Sequence, residues 1–572
     1  MKILGIHDGH NAAAALVIDG QVIAAVQEER LRMEKNWSGF PVQAVEQVLR
    51  LGGIGVGDLD LLAYNGHHSP PAFTREEDLQ SRRQNAGWYG RLLHLIRQTP
   101  VMSLYKQRRQ QERLQAALQL GLPSSKIAFT EHHTAHAAAA YYGWGRYDEP
   151  ILILTADGAG DELSATVNIG KDGQIKRIAQ VSRDHSLGTV YSTITFLMGM
   201  VPLEHEYKLM GLAPYADPKR AQAVADLLFE YMPLPRPGQL TWQHRAGRPA
   251  APIMYQHLRR ALELHRFDSI AGGVQLYTEE MLVRWAQNAI QQTGIRKVAC
   301  SGGVFMNVKA NKRLMELPEV DDLFIFPSCG DETNAIGAAY WQEAQAGGAI
   351  PPLTDVYWGA DFDPSQTRQA VARRAAGQGW SIQHREGAAL DEQIAALLAK
   401  GEIVARARGR MEFGARALGN RSILADPTVP KVVNTINYMV KSRDFWMPFA
   451  PMILEDRAGD YLVNPKKIAA PYMILSFDTV PERRDDLSAA IHPYDLSARP
   501  QILLEAHNPA MHRLLCHFES LTGRGGILNT SFNLHGFPIV GTPDAAIDVF
   551  EKSGLPHLAL GDWLLSKPTE GD

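Results

Sequence analysis

KILGIHDGHNAAAALVIDGQVIAAVQEE, residues 2–29, and ILILTADGAGDELSATVNIGKDGQIKRIAQV, residues 151–181, follow one plan. Each opens as a buried strand, passes through a polar loop, and resumes as two apolar runs joined by an Asp-Gly turn, Asp19-Gly20 in the first and Asp172-Gly173 in the second. Asp-Gly between such runs signals a hairpin, because both turn residues must take positive φ. Each copy also places an Asp-Gly pair directly after its first strand, Asp8-Gly9 and Asp157-Gly158. Tight turns there would expose backbone N–H groups and a carboxylate, which suits phosphate and its metal ion. One Asp-Gly pair mostly just closes a hairpin. The repetition argues for two similar lobes that hold a nucleotide between them.

Between the copies lies EHHTAHAAAAYY, residues 131–142, with His132 and His136 four residues apart. On a helix that spacing puts both imidazoles on one face, and the alanine run gives a smooth back that packs closely. Two neutral imidazoles can share a metal ion. Asp331 in SCGDETNAIGAAY, between a strand-like run and another small-residue helix, is the candidate third ligand. Two His and one carboxylate leave open positions for a substrate or phosphate oxygen. A helix-cap or core histidine would give the same spacing.

At 572 residues the chain has material for more than one core. With 45% hydrophobic residues, 21% charged residues and a net charge of -4, nothing calls for nucleic acid or membrane. Cys300, Cys329 and Cys516 are too scattered for a disulfide framework or a CxxC zinc site. The N-terminus lacks the basic and apolar stretches of a signal peptide, so the expected compartment is the cytoplasm.

Residues 74–115 carry Arg82, Arg83, Arg91, Arg97, Lys106, Arg108, Arg109 and Arg113, which read as the solvated face of helices, with a lid as the alternative. Lys208 precedes a turn and could reach a phosphate or simply end a helix. Ile270, Val274, Tyr277, Met281, Leu282 and Trp285 have amphipathic-helix spacing, and the strand KVACSG then leads to Gly302 and Gly303, where backbone could approach an anionic ligand. Pro and Gly concentrate over 347–364, placing a boundary near residue 348. Beyond it Arg416 and Arg421 sit among Gly, Ala and Leu, Lys441 and Arg443 abut FWMPFAP, Arg499 stands in SARPQ, and Asn529, Thr530, Ser531 and Asn533 form NTSFN. Cations embedded in apolar sequence need a partner, and an anionic ligand flanked by hydroxyls and amides would serve.

These motifs together resemble a known family. HHTAH, SGGVFMNVKAN, GDETNAIGAA and the paired hairpins resemble the Kae1-like branch of the actin, Hsp70 and sugar-kinase ATPases. GARALGNRSILADP, KSRDFWMPFAP, SARPQ and LNTSFNLHGFPIVGTP resemble the YrdC-like domain joined to it in the NodU/CmcH O-carbamoyltransferases, the antibiotic carbamoyltransferases among them. The resemblance implies an α/β protein: a Kae1-like carbamoyl-transfer domain over 1–348 and a YrdC-like adenylate-forming domain over 349–572. It implies carbamoyl phosphate and ATP with Mg as substrates, Fe(II) or another divalent metal as cofactor, and a hydroxylated small-molecule acceptor such as a sugar-like natural product. A homodimer is a possible assembly. Carbamoyl adenylate made in the second domain would pass through the protein to the first for transfer.

Carried over by motif, His132, His136 and Asp331 match the metal ligands, and Asp157, Gly158, Lys208, Gly302, Gly303 and Asn307 match the adenylate-binding segments. His10 and Asp8 match the loop that would supply a base, with His10 preferred because an ordinary imidazole titrates nearest neutrality. Arg416, Arg421, Lys441, Arg443, Arg499 and Ser531, with Asn529 and Thr530 beside it, match positions for carbamoyl phosphate and ATP. Asn11 departs from the Asp common after that histidine, and IHPYDLSARPQ from the usual His-Val-Asp-Gly run. The alternatives are a tRNA threonylcarbamoyl-type transferase and a non-carbamoylating ATP-driven binding protein.

Overall fold

The computed structural model describes residues 1–69, 72–85, 88–97 and 99–568. Two compact units form: Met1–Glu28 with Asn36–Leu353, and Glu29–Lys35 with Thr354–Asp572. A short segment close to the N-terminus thus belongs to the second unit.

The first unit is built on two sheets with one topology. Strands β1 (Lys2–His7), β2 (Ala13–Ile18), β3 (Gln21–Gln27), β4 (Leu61–Asn65) and β5 (Ile127–Thr130) lie in the order β3-β2-β1-β4-β5. Strands β6 (Ile151–Gly160), β7 (Leu163–Lys171), β8 (Gln174–Ser182), β9 (Lys297–Ser301) and β10 (Asp322–Ile325) lie in the order β10-β9-β6-β7-β8. In each sheet the first three strands are an antiparallel meander and the last two join in parallel. This is the duplicated α/β plan expected from the paired hairpins. Asp19-Gly20 and Asp172-Gly173 take φ of 49° and 78°, and 50° and 74°, as two-residue hairpin turns require.

One expectation changes. Asp157-Gly158 does not turn after a finished strand, because β6 continues to Gly160. The register with β7 slips between Ala156 and Gly160, and the turn falls instead at Asp161 and Glu162, with φ of 45° and 70°. The slip is a bulge, which re-aims side chains while pairing continues on both sides.

The helix His132–Trp144 packs on the helix Asn334–Gln345; the former also packs on β6 and β9 and the latter on β1, β2 and β4. Glu131 caps the first, its carboxylate accepting from His133 N at 3.0 Å and Thr134 N at 2.8 Å. Gly145 ends it at φ 68°, the left-handed stop that glycine makes without strain. Small residues set the spacing. A Cβ on Gly337 would lie 2.0 Å from the Ala135 carbonyl oxygen, and one on Gly5 would lie 1.8 Å from that of Ala335.

The second unit has an eight-stranded mixed sheet. Its strands are β11 (Ser381–His384), β12 (Val404–Ala407), β13 (Arg421–Ala425), β14 (Ala450–Leu454), β17 (Gln501–Leu503), β18 (Gly526–Ser531), β19 (His557–Leu560) and β20 (Trp563–Ser566); β15 (Leu462–Val463) pairs separately with β16 (Asp478–Thr479). The order is β11-β20-β19-β12-β13-β18-β14-β17. Alternation along each strand divides the core. Ala405, Ile423, Leu528, Leu558 and Leu565 face one apolar cluster with Phe550, while Val404, Leu424, Ile527, Ala559 and Leu564 face another with Leu390, Ile394 and Phe518. The helices Gly387–Ala399 and Pro509–Thr522 supply the second cluster, and Pro543–Lys552 supplies the first.

The tight helix crossing is testable. Gly337→Ala should destabilise the first unit by about 3 kcal/mol, because the methyl must displace backbone rather than a mobile side chain. Thermal unfolding against the native chain measures it.

Candidate active site

Four ligand atoms converge where the two central helices begin. His132 and His136 bring their Nε2 atoms to 3.0 Å and 3.3 Å from Asp157 Oδ2, and to 3.5 Å and 3.3 Å from Asp331 Oδ1. All four atoms lie within 4.8 Å of one another, a spacing that could hold a metal ion. Each element contributes by construction. The helix His132–Trp144 supplies both imidazoles, the bulge in β6 supplies Asp157, and the short helix Asp331–Thr333 supplies Asp331. A Cβ on Gly160 would strike the His132 ring at 2.0 Å, so glycine there is a condition of the site.

The surrounding bonds fit a ligand role. His136 Nδ1 lies 3.0 Å from Ser301 Oγ, which orients Nε2 into the cluster. Asn334 Nδ2 stands 2.9 Å from His136 Nε2, and its Oδ1 is buried without a hydrogen-bond partner. Burial opposes charge on His132, yet Asp331 and the hydrogen-bonded Asp157 raise its pKa to about 10. Burial likewise opposes charge on His136, while its bonds to Asp157 and Asp331 raise it. Asp157 is held well below the usual carboxylate range, against its burial, by bonds to both histidines. His133, facing Thr155 Oγ1 at 2.8 Å, falls to about 3 through burial and the neighbouring His132 charge.

His10 stands at the edge of this cluster, with Nε2 3.6 Å from Asp331 Oδ2 and a side chain 28% exposed. Asn11 has φ 57°, a left-handed position that Asn tolerates, which accounts locally for its place in the loop. Asp8 is engaged differently. Both its oxygens accept from Arg113, at 2.7 Å and 2.9 Å, and Arg113 is buried. Arg113 is therefore no part of a solvated face, in contrast to the reading of the basic stretch. The side chains of Arg91 and Arg97 lie outside the described residues.

Gly302 has φ 111° and packs on Ala156, where a Cβ would come 2.2 Å from the carbonyl oxygen. Gly303 lies against Asp157 Oδ1, and Gly158 O accepts from Ser186 Oγ at 2.5 Å. Asn307 caps the helix Val308–Met315 and exchanges two hydrogen bonds with Gln275, at 3.0 Å and 2.9 Å. Lys208 lies in the helix Glu206–Leu212.

The second unit gathers cations. Buried Lys441 ends a single π-helical turn, Asn437–Lys441, and donates to Ser531 O, to Ser531 Oγ at 3.1 Å and to Asn533 Oδ1 at 2.7 Å. Burial, with Arg443 and Lys35 nearby, holds its ammonium well below the usual range. Burial and the charges of Arg416 and Arg443 do the same to Arg499. Arg421 is fully buried on β13, bonds to the carbonyls of Gly409 and Asn420 at 2.9 Å, lies 4.0 Å over the Phe362 ring, and is pushed down to about 10 by burial. Among the described residues, no carboxylate forms an ion pair with Lys441, Arg421 or Arg499. Thr530 is buried on β18, and buried Asn529 donates to Ala417 O and Gln501 Oε1. The altered loop before Arg499 is held by His492 Nδ1, which accepts from Tyr494 N and Asp495 N.

Several contributors escaped sequence reading. Asp157 sits among the candidate ligands as well as beside the glycines, because of the bulge. Asp161 accepts from His67 N, His68 N and His132 N, joining three segments with no sequence signal. Glu412 Oε1 accepts from Leu418, Asn420 and Arg421 N–H groups and so shapes the arginine loop. Its place just ahead of GARALGN was the available hint.

Residues 2–340 match the family model described as carbamoyltransferase N-terminus, and residues 395–567 match that described as carbamoyltransferase C-terminus. An uncharacterized protein of Synechocystis sp. is 31% identical over 98% of this chain and 96% of its own length. Nodulation protein NolNO of Sinorhizobium fredii is 31% identical over 98% of this chain and 79% of its own, and nodulation protein U of the same organism is 26% identical over the whole of both. The chain belongs to the carbamoyltransferase family and is a transferase. No helix among the described residues is long and apolar enough to cross a membrane.

A divalent ion bound by the four-ligand cluster would displace protons. In the metal-free protein His132 keeps its proton up to about pH 10, whereas a ligand imidazole must be neutral. Anaerobic titration with Fe(II) in weakly buffered solution near neutrality should therefore acidify the medium, and the release should fade as pH rises through about 10. Asp157→Ala should weaken both uptake and release.

Proposed function

We propose that the protein is an ATP-dependent O-carbamoyltransferase whose two half-reactions divide between the units, broadly over 1–348 and 349–572. The observation that carries this is the electrostatic contrast: in the second unit buried Lys441 faces neutral oxygens and Arg499 stands near Arg416 and Arg443, while in the first unit imidazoles stand with carboxylates. Desolvated cations such as Lys441 and Arg499 are stabilised by an anionic ligand, and carbamoyl phosphate with ATP supplies two.

In the second unit, Arg416, Lys441, Arg443 and Arg499 hold the phosphoryl groups, with Arg421 behind them and Asn529, Thr530 and Ser531 alongside. One water hydrolyses carbamoyl phosphate to carbamate and phosphate, a carbamate oxygen bonds to the α-phosphorus of ATP, and the α–β phosphoanhydride bond breaks as pyrophosphate leaves; Mg accompanies the nucleotide. Exclusion of water protects the carbamate, which decomposes quickly when free. In the first unit, Asp157, Gly158, Lys208, Gly302, Gly303 and Asn307 hold the adenylate. A divalent ion on His132, His136 and Asp331, for which Fe(II) suits the two-imidazole, carboxylate set, would polarise the phosphate or carbonyl oxygen without redox chemistry. His10 takes the proton of the acceptor hydroxyl, whose oxygen bonds to the carbamoyl carbon as AMP departs. The acceptor is a hydroxylated small molecule; neither nucleic acid nor membrane enters, and the compartment is the cytoplasm.

Nucleotide products test the reading. With carbamoyl phosphate the chain should convert ATP to AMP and pyrophosphate; ADP and phosphate, formed without carbamoyl phosphate, would mark an ATP-driven binding protein instead. Transfer of radiolabelled carbamoyl to tRNA rather than to hydroxylated small molecules would also refute it. Arg416→Ala and Lys441→Ala should each abolish pyrophosphate formation, while His10→Ala should retain it and lose transfer.

A further inference from the structure

Arg113 lies on the helix Pro100–Leu118, outside every motif of the site. Its guanidinium is buried beneath the loop that bears His10, 3% exposed against 8% for Asp8. Nε and Nη2 donate to Asp8 Oδ2 and Oδ1 at 2.7 Å and 2.9 Å. Nη2 also donates to Asn65 O at 2.7 Å and Nη1 to Gly66 O at 2.6 Å. The plane lies over Tyr64 at 4.6 Å and Phe129 at 5.3 Å, and the Tyr64 hydroxyl donates back to Arg113 O at 2.9 Å. One side chain thus ties the β1–β2 loop to the end of β4.

The other ties of the loop hold its far end: His10 pairs with Ser38 as an isolated antiparallel bridge, and Glu28 N donates to Ala12 O at 2.9 Å. His7 Nε2 lies 2.9 Å from His10 O, His7 Nδ1 lies 3.0 Å from Asn65 Nδ2, and Ala12 N donates to Trp37 O at 3.0 Å. Asp8 stands two residues before His10, and its buried charge is met by Arg113 alone among the described ion pairs. A buried carboxylate stripped of its partner moves toward water, and the loop would move with it. Only a guanidinium satisfies both carboxylate oxygens and two carbonyls at once; a lysine reaches one direction at a time.

We infer that Arg113 is a positioning residue of the transfer half-reaction, clamping Asp8 so that His10 faces the carbamoyl-bearing site at Asp331. This rests on the reading of His10 as the base. In that step the acceptor oxygen bonds to the carbamoyl carbon, the carbon–oxygen bond to AMP breaks with its electron pair going to AMP, and the hydroxyl proton passes to His10 Nε2.

The test uses the full chain, carbamoyl phosphate, ATP and methyl glucoside as the probe hydroxyl compound. Pyrophosphate formation and carbamoyl transfer are followed separately for the native chain, Arg113→Ala, Arg113→Lys and His10→Ala. We expect Arg113→Ala to form pyrophosphate within about twofold of native and to transfer about a hundredfold more slowly, with kcat lowered and the probe KM little changed. Arg113→Lys should recover only part of the rate. Native transfer by Arg113→Ala overturns the inference, as does an equal fall in both half-reactions, which would mark a general loss of folding. Native transfer by His10→Ala beside slow transfer by Arg113→Ala would overturn the His10 reading while leaving the clamp, so the two failures are distinguishable.

Discussion

The contact on which the first unit depends is the approach of two small-residue helices, closest where Gly337 meets the Ala135 carbonyl. That approach sets the depth at which His136 and Asp331 meet, since His136 lies in the second turn of one helix and Asp331 in the short helix that leads into the other. A larger residue at the crossing would separate the imidazoles from the carboxylate without touching either. Ala338 and Ala139, also fully buried, extend the same smooth surface. Packing at this tolerance behaves as a rigid jig, because interiors are close-packed and cannot absorb a methyl group cheaply.

The second unit solves the opposite electrostatic problem. Arg406 and Arg421 are fully buried and bond chiefly to carbonyls, so the backbone spreads their charge without cancelling it. Burial pushes both down to about 10, a measure of how poorly the interior replaces water. Glu412 Oε1 meets three backbone N–H groups of the arginine loop, and its charge favours the charged forms of Arg406 and Arg421 nearby. Such a loop suits an anion, in keeping with the proposed reading of this unit. Glu29–Lys35 contributes to it: Arg30 donates to Gly414 O, and Lys35 acts on Lys441.

Local signals were legible where one segment settles its own structure. The Asp-Gly hairpins, the His132–Trp144 helix and the Phe267–Thr293 helix all follow from turn chemistry and periodicity. The bulge that carries Asp157 to the histidines was not legible, because a register slip depends on the partner strand β7. Arg113 was hidden for a related reason. Its helix looks basic and solvated along the chain, and only tertiary packing shows that this guanidinium turns inward.

The sequence by itself determined the duplicated α/β plan, the pairing of His132 with His136 on one helical face, and the clustering of cations in the second half. These are carried by period, turn residues and long specific motifs. The tertiary structure alone decided that Asp157 joins Asp331 at the imidazoles, that Asp8 is clamped by Arg113, and that Glu29–Lys35 belongs to the second unit. The reason is physical: ligand convergence and buried ion pairing are relations between side chains far apart in sequence, fixed by how closely the layers pack.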